Sequence, residues 1–184
     1  MMCDRESSSL SSAPAYKMWR IRATIVTSGW NWDVNVLDFY DSEGMMINSA
    51  IASPLWSGSV SDDKHGNIPG YEAHLALSRS AQGHLGLWGG RKDDNGELWI
   101  GASWDKSVNL SKIIVQTGNA ENVVVECSND GMVWLNLGDV DLLPDDNQIQ
   151  EISVVSKVIS AGGRKLLAFA PACKMWRIRA TIVT

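Results

Sequence analysis

Phenylalanine and tyrosine are scarce in this chain, with two Phe and three Tyr against nine Trp. Histidine and cysteine are also few, three of each. Cys3 and Cys173 lie in the flanks and Cys127 in an apolar run. No CxxC spacing offers a zinc or redox site, and no internal disulfide framework is expected. No apolar run approaches the ~20 residues of a membrane-spanning helix. The opening MMCDRESSSLSS is polar and Ser-rich and lacks the apolar stretch of a signal peptide. It reads as a disordered leader over residues 1–16, of an intracellular protein or of an internal piece of a longer chain. Positive charge is the minority sign. A net charge of −5 and a pI near 5.1 argue against a nucleic-acid partner, which calls for a basic patch or stripe.

Catalytic signatures are missing too. There is no GxSxG elbow, no HExxH, no GxxxxGK[ST] loop and no Gly fingerprint between a strand and a helix. His65, His74 and His84 share no catalytic spacing, and His74 falls inside a strand-like pattern, where a hydrogen-bonded structural His is expected. Asp93-Asp94-Asn95-Gly96-Glu97 has hard oxygen donors around a Gly turn, so Asp93, Asp94 and Asn95 are the calcium candidates. The run departs from the D-x-[DN]-x-[DN]-G spacing, however, and D-N-G is first a solvated hairpin turn. Asn109-Leu110-Ser111 is a formal glycosylation sequon. The absent catalytic signatures leave an enzyme unsupported without excluding it.

What is present is β patterning. Trp19-Arg20-Ile21-Arg22-Ala23-Thr24-Ile25 alternates apolar and polar residues, the period of a half-buried strand. Ser28-Gly29-Trp30-Asn31 is a turn, and a strand follows over Val34–Tyr40 with Leu37 and Phe39 on one face. Further strands are expected over Met45–Ala52, Glu72–Ser78, Leu98–Trp104, Lys112–Thr117, Val123–Cys127 and Ile149–Val158. No run shows sustained helical spacing, and Gly, Asn and Asp punctuate at intervals typical of a sandwich or barrel. Trp99 and Trp104 fall on opposite faces of one strand, so at most one of them is core. Two Gly-rich stretches, Ser53–Gly70 and Arg79–Glu97, read as long loops and mark the place to look for function.

From Leu98 to Trp134 the residues resemble a known family. Trp99-Ile100-Gly101-Ala102-Ser103-Trp104, then Val108 and Ile113-Ile114-Val115, are similar to the "W-I-G-x-D-F-G … V … I-x-I" strands of discoidin domains, also called coagulation factor 5/8 type C domains. Val123 to Trp134 resembles that family's "v-x-x-S-x-D-G-x-x-W" hairpin. Lys17-Met18-Trp19-Arg20-Ile21 and Leu37-Asp38-Phe39-Tyr40-Asp41 resemble its "R-Y-W-R-L … E-I-E-F-x-D" pair. The likeness spans about residues 17–158. Ser103 and Asp105 stand where the family has the Asp and Gly of "D-F-G", and its Asp-Gly before Trp88 is replaced by Leu77–His84, which puts the family's calcium in doubt.

The resemblance implies an all-β, antiparallel jelly-roll β-sandwich of the galactose-binding-domain-like kind. It implies a non-enzymatic binding module, with no cofactor, that takes glycans or phospholipid head groups through loops at one end of the sandwich, on a cell surface or outside the cell. Loop residues able to stack on a sugar or hold a polar group are Trp56, His65, Tyr71, Arg79, His84, Trp88 and Arg91. Trp88 also matches a structural position of the family, and Arg91-Lys92 also suits a solvated rim. Leu55-Trp56 is the candidate apolar tip of the first loop. The alternatives are an adhesion repeat that contacts protein, and a targeting appendage of a longer enzyme.

KMWRIRATIVT occurs twice, at Lys17–Thr27 and Lys174–Thr184, 157 residues apart (174 − 17). The preceding Ala13-Pro14-Ala15-Tyr16 recurs as Ala170-Pro171-Ala172-Cys173, so only Tyr16/Cys173 differs. That spacing exceeds the ~20–50 residues of a solenoid repeat and is close to a whole domain. Either the chain is cut from a tandem array, or the copy is a scar of cloning or gene assembly. The array reading divides the chain into a leader (1–16), a discoidin-like domain (17–160), and a linker with the first strand of a following repeat (161–184). The first copy is expected to hold the sheet because Val34–Tyr40 follows as its hairpin partner. The second copy would then be loosely held, or would support strand-swapped self-association through residues 170–184.

Overall fold

A computed structural model describes residues 15–27, 32–47, 52–78, 87–143, 148–154, 156–161 and 164–169. The first copy of the repeated segment forms β1 (Tyr16–Val26). Its alternation puts Trp19 and Ile21 into the core, both with no exposed surface, and turns Arg20 and Arg22 to the opposite face. β1 lies at the centre of a five-stranded antiparallel sheet in the order β3-β5-β1-β7-β8, where β3 is Ser53–Trp56, β5 Leu98–Val108, β7 Ala120–Ser128 and β8 Leu135–Asp141. Arg20 sits opposite Gly101 on one side and Glu126 on the other. A Cβ at Gly101 would lie 2.1 Å from the Trp19 carbonyl oxygen, so only glycine allows the two strands to approach this closely.

β2 (Trp32–Asp41) belongs to a second antiparallel sheet, order β4-β2-β6-β9, with β4 Trp88–Gly90, β6 Leu110–Thr117 and β9 Ile149–Ser153. The expected β1–β2 hairpin is therefore overturned. Both strands carry a core face, and burying the two against each other puts them in opposite sheets rather than side by side. Phe39 of β2 meets Trp104 of β5 edge-on across the core, with ring centroids 5.4 Å apart. Trp32 meets Trp88 in the same way at 5.7 Å, and Trp32 Nε1 donates to Thr117 Oγ1 at 2.7 Å. Leu37 and Phe39 are buried as expected, but Val36 and Asp38 on the other face are buried too. Trp104 is core and Trp99 half-buried, as their odd separation requires.

The all-β expectation holds at the level of architecture: among the described residues two antiparallel sheets share one core, with almost no helix. Three local expectations fail. Glu72–Ser78 is not a strand, because Ala73–Leu77 forms one short helix, α1, that buries Ala73, Ala76 and Leu77 at i, i+3 and i+4 and leaves His74 exposed. The stretches expected to be loops contain β3 and β4, two short edge strands. Pro54 fits β3 because an edge strand loses no ladder bond to it. Within Met45–Ala52, Met46 makes an isolated bridge to Tyr40. A separate hairpin pairs β10 (Ser156–Ala161) with β11 (Arg164–Phe169). The leader up to residue 14 and the second copy at 174–184 lie outside the described residues.

Candidate functional site

The end of the sandwich where β3 and β4 lie is built from the first Gly-rich stretch. After β3 the chain wraps back over β4 and is held by backbone bonds: Arg91 N–H to Gly58 O at 2.9 Å, Val60 N–H to Gly89 O at 2.9 Å and Gly89 N–H to Tyr71 O at 3.3 Å. Ser57 joins this loop to β5, since its N–H donates to Trp99 O at 2.9 Å and its Oγ accepts from Trp99 N–H at 3.1 Å. Inside the loop, Ser59 Oγ donates to Tyr71 O at 2.6 Å, and Asp62 Oδ2 accepts from Ser59 N–H at 2.7 Å. These bonds stitch the edges of the two sheets together, so the loop carries its own hydrogen bonding rather than relying on solvent.

Of the residues expected to bind a ligand, the structure brings Trp56, Tyr71 and Arg91 to this end. Trp56 is 40% exposed on the edge strand, and Tyr71 and Arg91 are half-buried. Trp88 is wholly enclosed in the core, the structural alternative named for it. His65 closes a single 3-10 turn, Asp63–His65. Arg79 and His84 lie outside the described residues.

Asp93–Glu97 forms the neighbouring turn. Asp93 Oδ1 accepts from the N–H groups of Asn95 and Glu97, both at 2.9 Å, and Oδ2 accepts from Trp99 Nε1 at 3.2 Å. Gly96 supplies the left-handed residue at φ +81°. Burial pushes the Asp93 carboxyl up, but the Glu97 N–H, the Trp99 indole, the Asn95 N–H and the Arg20 charge outweigh it and hold it below its ordinary value of 3.8. Asp94 pairs instead with Lys64 at 2.6 Å, both side chains largely exposed. Among the described residues no group of three or more His, Cys, Asp or Glu is placed to hold a metal ion.

A second cluster, on the outer face of the five-stranded sheet, was not foreseen from the sequence. Arg20 Nε donates to Glu126 Oε2 at 2.6 Å, while Arg22 Nε and Nη2 donate to Oε1 at 3.1 and 2.9 Å. Glu97 stands 3.9 Å from Arg20 and 3.8 Å from Arg22. The Arg20 guanidinium is flanked by the Trp134 ring at 4.0 Å and the Trp99 ring at 4.8 Å. Trp134 is delivered by the turn between β7 and β8, where Asp130 Oδ1 accepts from Met132 N–H at 2.8 Å and Val133 N–H at 3.0 Å. Its indole Nε1 donates to Gly131 O at 3.0 Å. Both Glu126 oxygens accept from arginine, so the cluster acts as a strut across β5, β1, β7 and the β7–β8 turn. The sequence signal is the outward phase of two strands, Arg20 and Arg22 on one and Glu126 on the other, but strand order is needed to see them meet.

Comparison with known proteins finds no matching family model, no matching curated protein and no matching solved structure.

Proposed function

We propose that this chain is a non-catalytic binding module with a discoidin-like jelly-roll sandwich, taking a glycan at the end formed by Trp56, Tyr71 and Arg91. The observation that carries the reading is the contrast among tryptophans. Trp19, Trp32 and Trp88 are completely enclosed, whereas Trp56 keeps 40% of its surface in solvent on an edge strand. An indole face beside a self-bonded polar loop suits the C–H surface of a sugar, and Arg91 and Tyr71 supply donors for hydroxyls. The two-sheet all-β architecture and the motif resemblance support the same reading. The repeated segment supports membership of a tandem array. A glycan-array screen of the chain, with and without calcium, is the test. Trp56→Ala should weaken the selected glycan by ~1–3 kcal/mol and leave the melting temperature nearly unchanged. Unchanged affinity rejects this site.

A second reading is an adhesion repeat that contacts protein. Met132 and Val133, 86% and 74% exposed, form an apolar pair at the tip of the β7–β8 turn. Met132→Ser with Val133→Ser should abolish partner binding under this reading and leave glycan binding intact under the first.

A further inference from the structure

The outer face of the five-stranded sheet sets polar and aromatic side chains in register. Arg22 on β1 lies opposite Trp99 on β5 and Val124 on β7, and Val124 lies opposite Asp139 on β8. In the next row Asn122 of β7 lies opposite Asp141 of β8. Its Oδ1 accepts from Thr24 Oγ1, and its Nδ2 donates to Asp141 Oδ1 at 2.9 Å. Trp134, carried by the β7–β8 turn, reaches back over Arg20.

Both indoles on this face are fixed before any ligand arrives. Trp99 Nε1 is spent on Asp93 Oδ2 and Trp134 Nε1 on Gly131 O. The Arg20 guanidinium stands over one face of each ring, and the two rings are 6.4 Å apart with a tilt of 41°. Both residues are only half-buried, unlike the enclosed Trp19, Trp32 and Trp88. What they offer outward is apolar ring surface, already ordered, which suits the C–H side of a sugar and spares the cost of arranging it.

The polar groups beside the rings select a hydroxyl. Glu97 stands 3.9 Å from Arg20 Nη2 and 3.8 Å from Arg22 Nε, too far for direct hydrogen bonds, and its side chain is 39% exposed. An oxygen seated between them must accept from a guanidinium and donate to a carboxylate at once, and a hydroxyl does both. Arg20 and Arg22 are outnumbered here by Glu97, Glu126, Asp139 and Asp141, a local charge of −2 (2 − 4), which turns anionic ligands away.

We propose that this face is a second sugar site, which lays an uncharged oligosaccharide across β5, β1 and β7 with C–H surface on Trp99 and Trp134 and a hydroxyl between Glu97 and Arg22. The site rests on the reading of the Trp56 end only for the class of ligand and uses none of that end's side chains.

An array of neutral, sialylated and sulfated glycans, followed by calorimetry of the full chain with the best binder, is the test. The best binder should be neutral. Glu97→Gln should weaken it about fivefold, the loss of one good hydrogen bond. Trp134→Ala should weaken it about tenfold or more. Glu97→Gln keeps the size of an exposed side chain and should melt close to the wild type, so a folding defect cannot account for its lost affinity. Trp56→Ala, assayed with the same glycan, tells the two sites apart. Loss in Trp56→Ala with full affinity in Glu97→Gln and Trp134→Ala overturns the sheet-face site and leaves the Trp56 end standing. Loss in the two sheet-face variants with full affinity in Trp56→Ala supports the sheet face and rejects the loop end for that glycan. A preference for sialylated or sulfated glycans overturns the sheet-face site, and an array on which nothing binds overturns both.

Discussion

Arg20 and Glu126 face each other on adjacent strands at the centre of the five-stranded sheet, 2.6 Å apart, with only 7% and 5% of their surfaces exposed. The pair is buried although it lies on the face away from the core, because Trp99 and Trp134 cover the guanidinium. Removing one partner of such a pair leaves the other charged without water, which typically costs ~3–5 kcal/mol. Glu126→Ala should therefore lower the free energy of unfolding by about that amount in a denaturant titration. Replacing both residues, as Arg20→Met with Glu126→Leu, should recover much of the loss, since the one charge still deprived of Glu126, Arg22, is partly exposed and keeps Glu97 3.8 Å away. Recovery identifies desolvated charge as the cause of the loss. Continued loss points to packing around the two tryptophans.

Gly101 is the companion of that pair. It sits opposite Arg20, and an added methyl group would meet the Trp19 carbonyl oxygen and the Arg20 Cα and Cβ. Backbone cannot swing aside as the end of a flexible side chain can. Gly101→Ala should cost ~1–3 kcal/mol or more, against the small gain that Ala normally brings to a strand. The control is Gly138→Ala on the edge strand β8, where the left-handed backbone at φ +138° is strained but, among the described residues, no strand is hydrogen-bonded on the outer side. Thermal melts of the two variants separate steric collision from loss of a special backbone angle.

Cys127 is fully enclosed in β7. Burial pushes its thiol up from 9.0 to about 12; a Tyr16 hydrogen bond opposes the rise and the Glu126 charge adds to it. The folded state thus holds the proton more tightly than the unfolded chain does. Its contribution to stability is fully present below pH 9.0 and is lost as the pH rises toward about 12. Wild-type stability should fall with alkaline pH by up to ~1.4 kcal/mol per pH unit in that window, and Cys127→Ala should fall less steeply. With Cys3 and Cys173 replaced by Ser, the remaining thiol should resist alkylation at pH 8 until denaturant unfolds the protein.

Several of these features could be read from the residues and others could not. Parity alone placed Trp99 and Trp104 on opposite faces, and the structure has one half-buried and one in the core. Glu72–Ser78 misled because Ala73, Leu75 and Leu77 fit a period of two while Ala73, Ala76 and Leu77 fit a helical stripe. Over so short a run both patterns are satisfied, and the helix-forming Ala and Leu decide it. Pairing partners were beyond reach of local reading. Arg20 on β1 and Glu126 on β7 are 106 positions apart, and no turn chemistry joins them. At the loop end, composition marked the two stretches that hold β3 and β4. It could not separate Trp88, enclosed against Trp32, from Trp56, left at the edge, because that depends on how β3 and β4 dock.

Asp93 carries the last prediction. Its carboxylate closes the Asp93–Glu97 turn through two N–H groups and receives the Trp99 indole. The folded-state proton affinity is depressed below the ordinary 3.8, so the stabilisation is present above that pH and disappears as the pH falls through the lower, folded value. Asp93→Asn removes the anion, and its stability should therefore fall less on acidification below about pH 4 than that of the wild type. Trp99→Phe removes one of the groups that hold the carboxylate ionised and should move the acid limb of the wild-type curve toward higher pH. The same oxygens are the ones calcium would need. Because the turn already uses both, millimolar calcium should leave the melting temperature of the wild type unchanged, since only a ligand that binds the folded state raises it. A calcium-dependent rise that Asp93→Asn abolishes would reassign the turn as a cation loop.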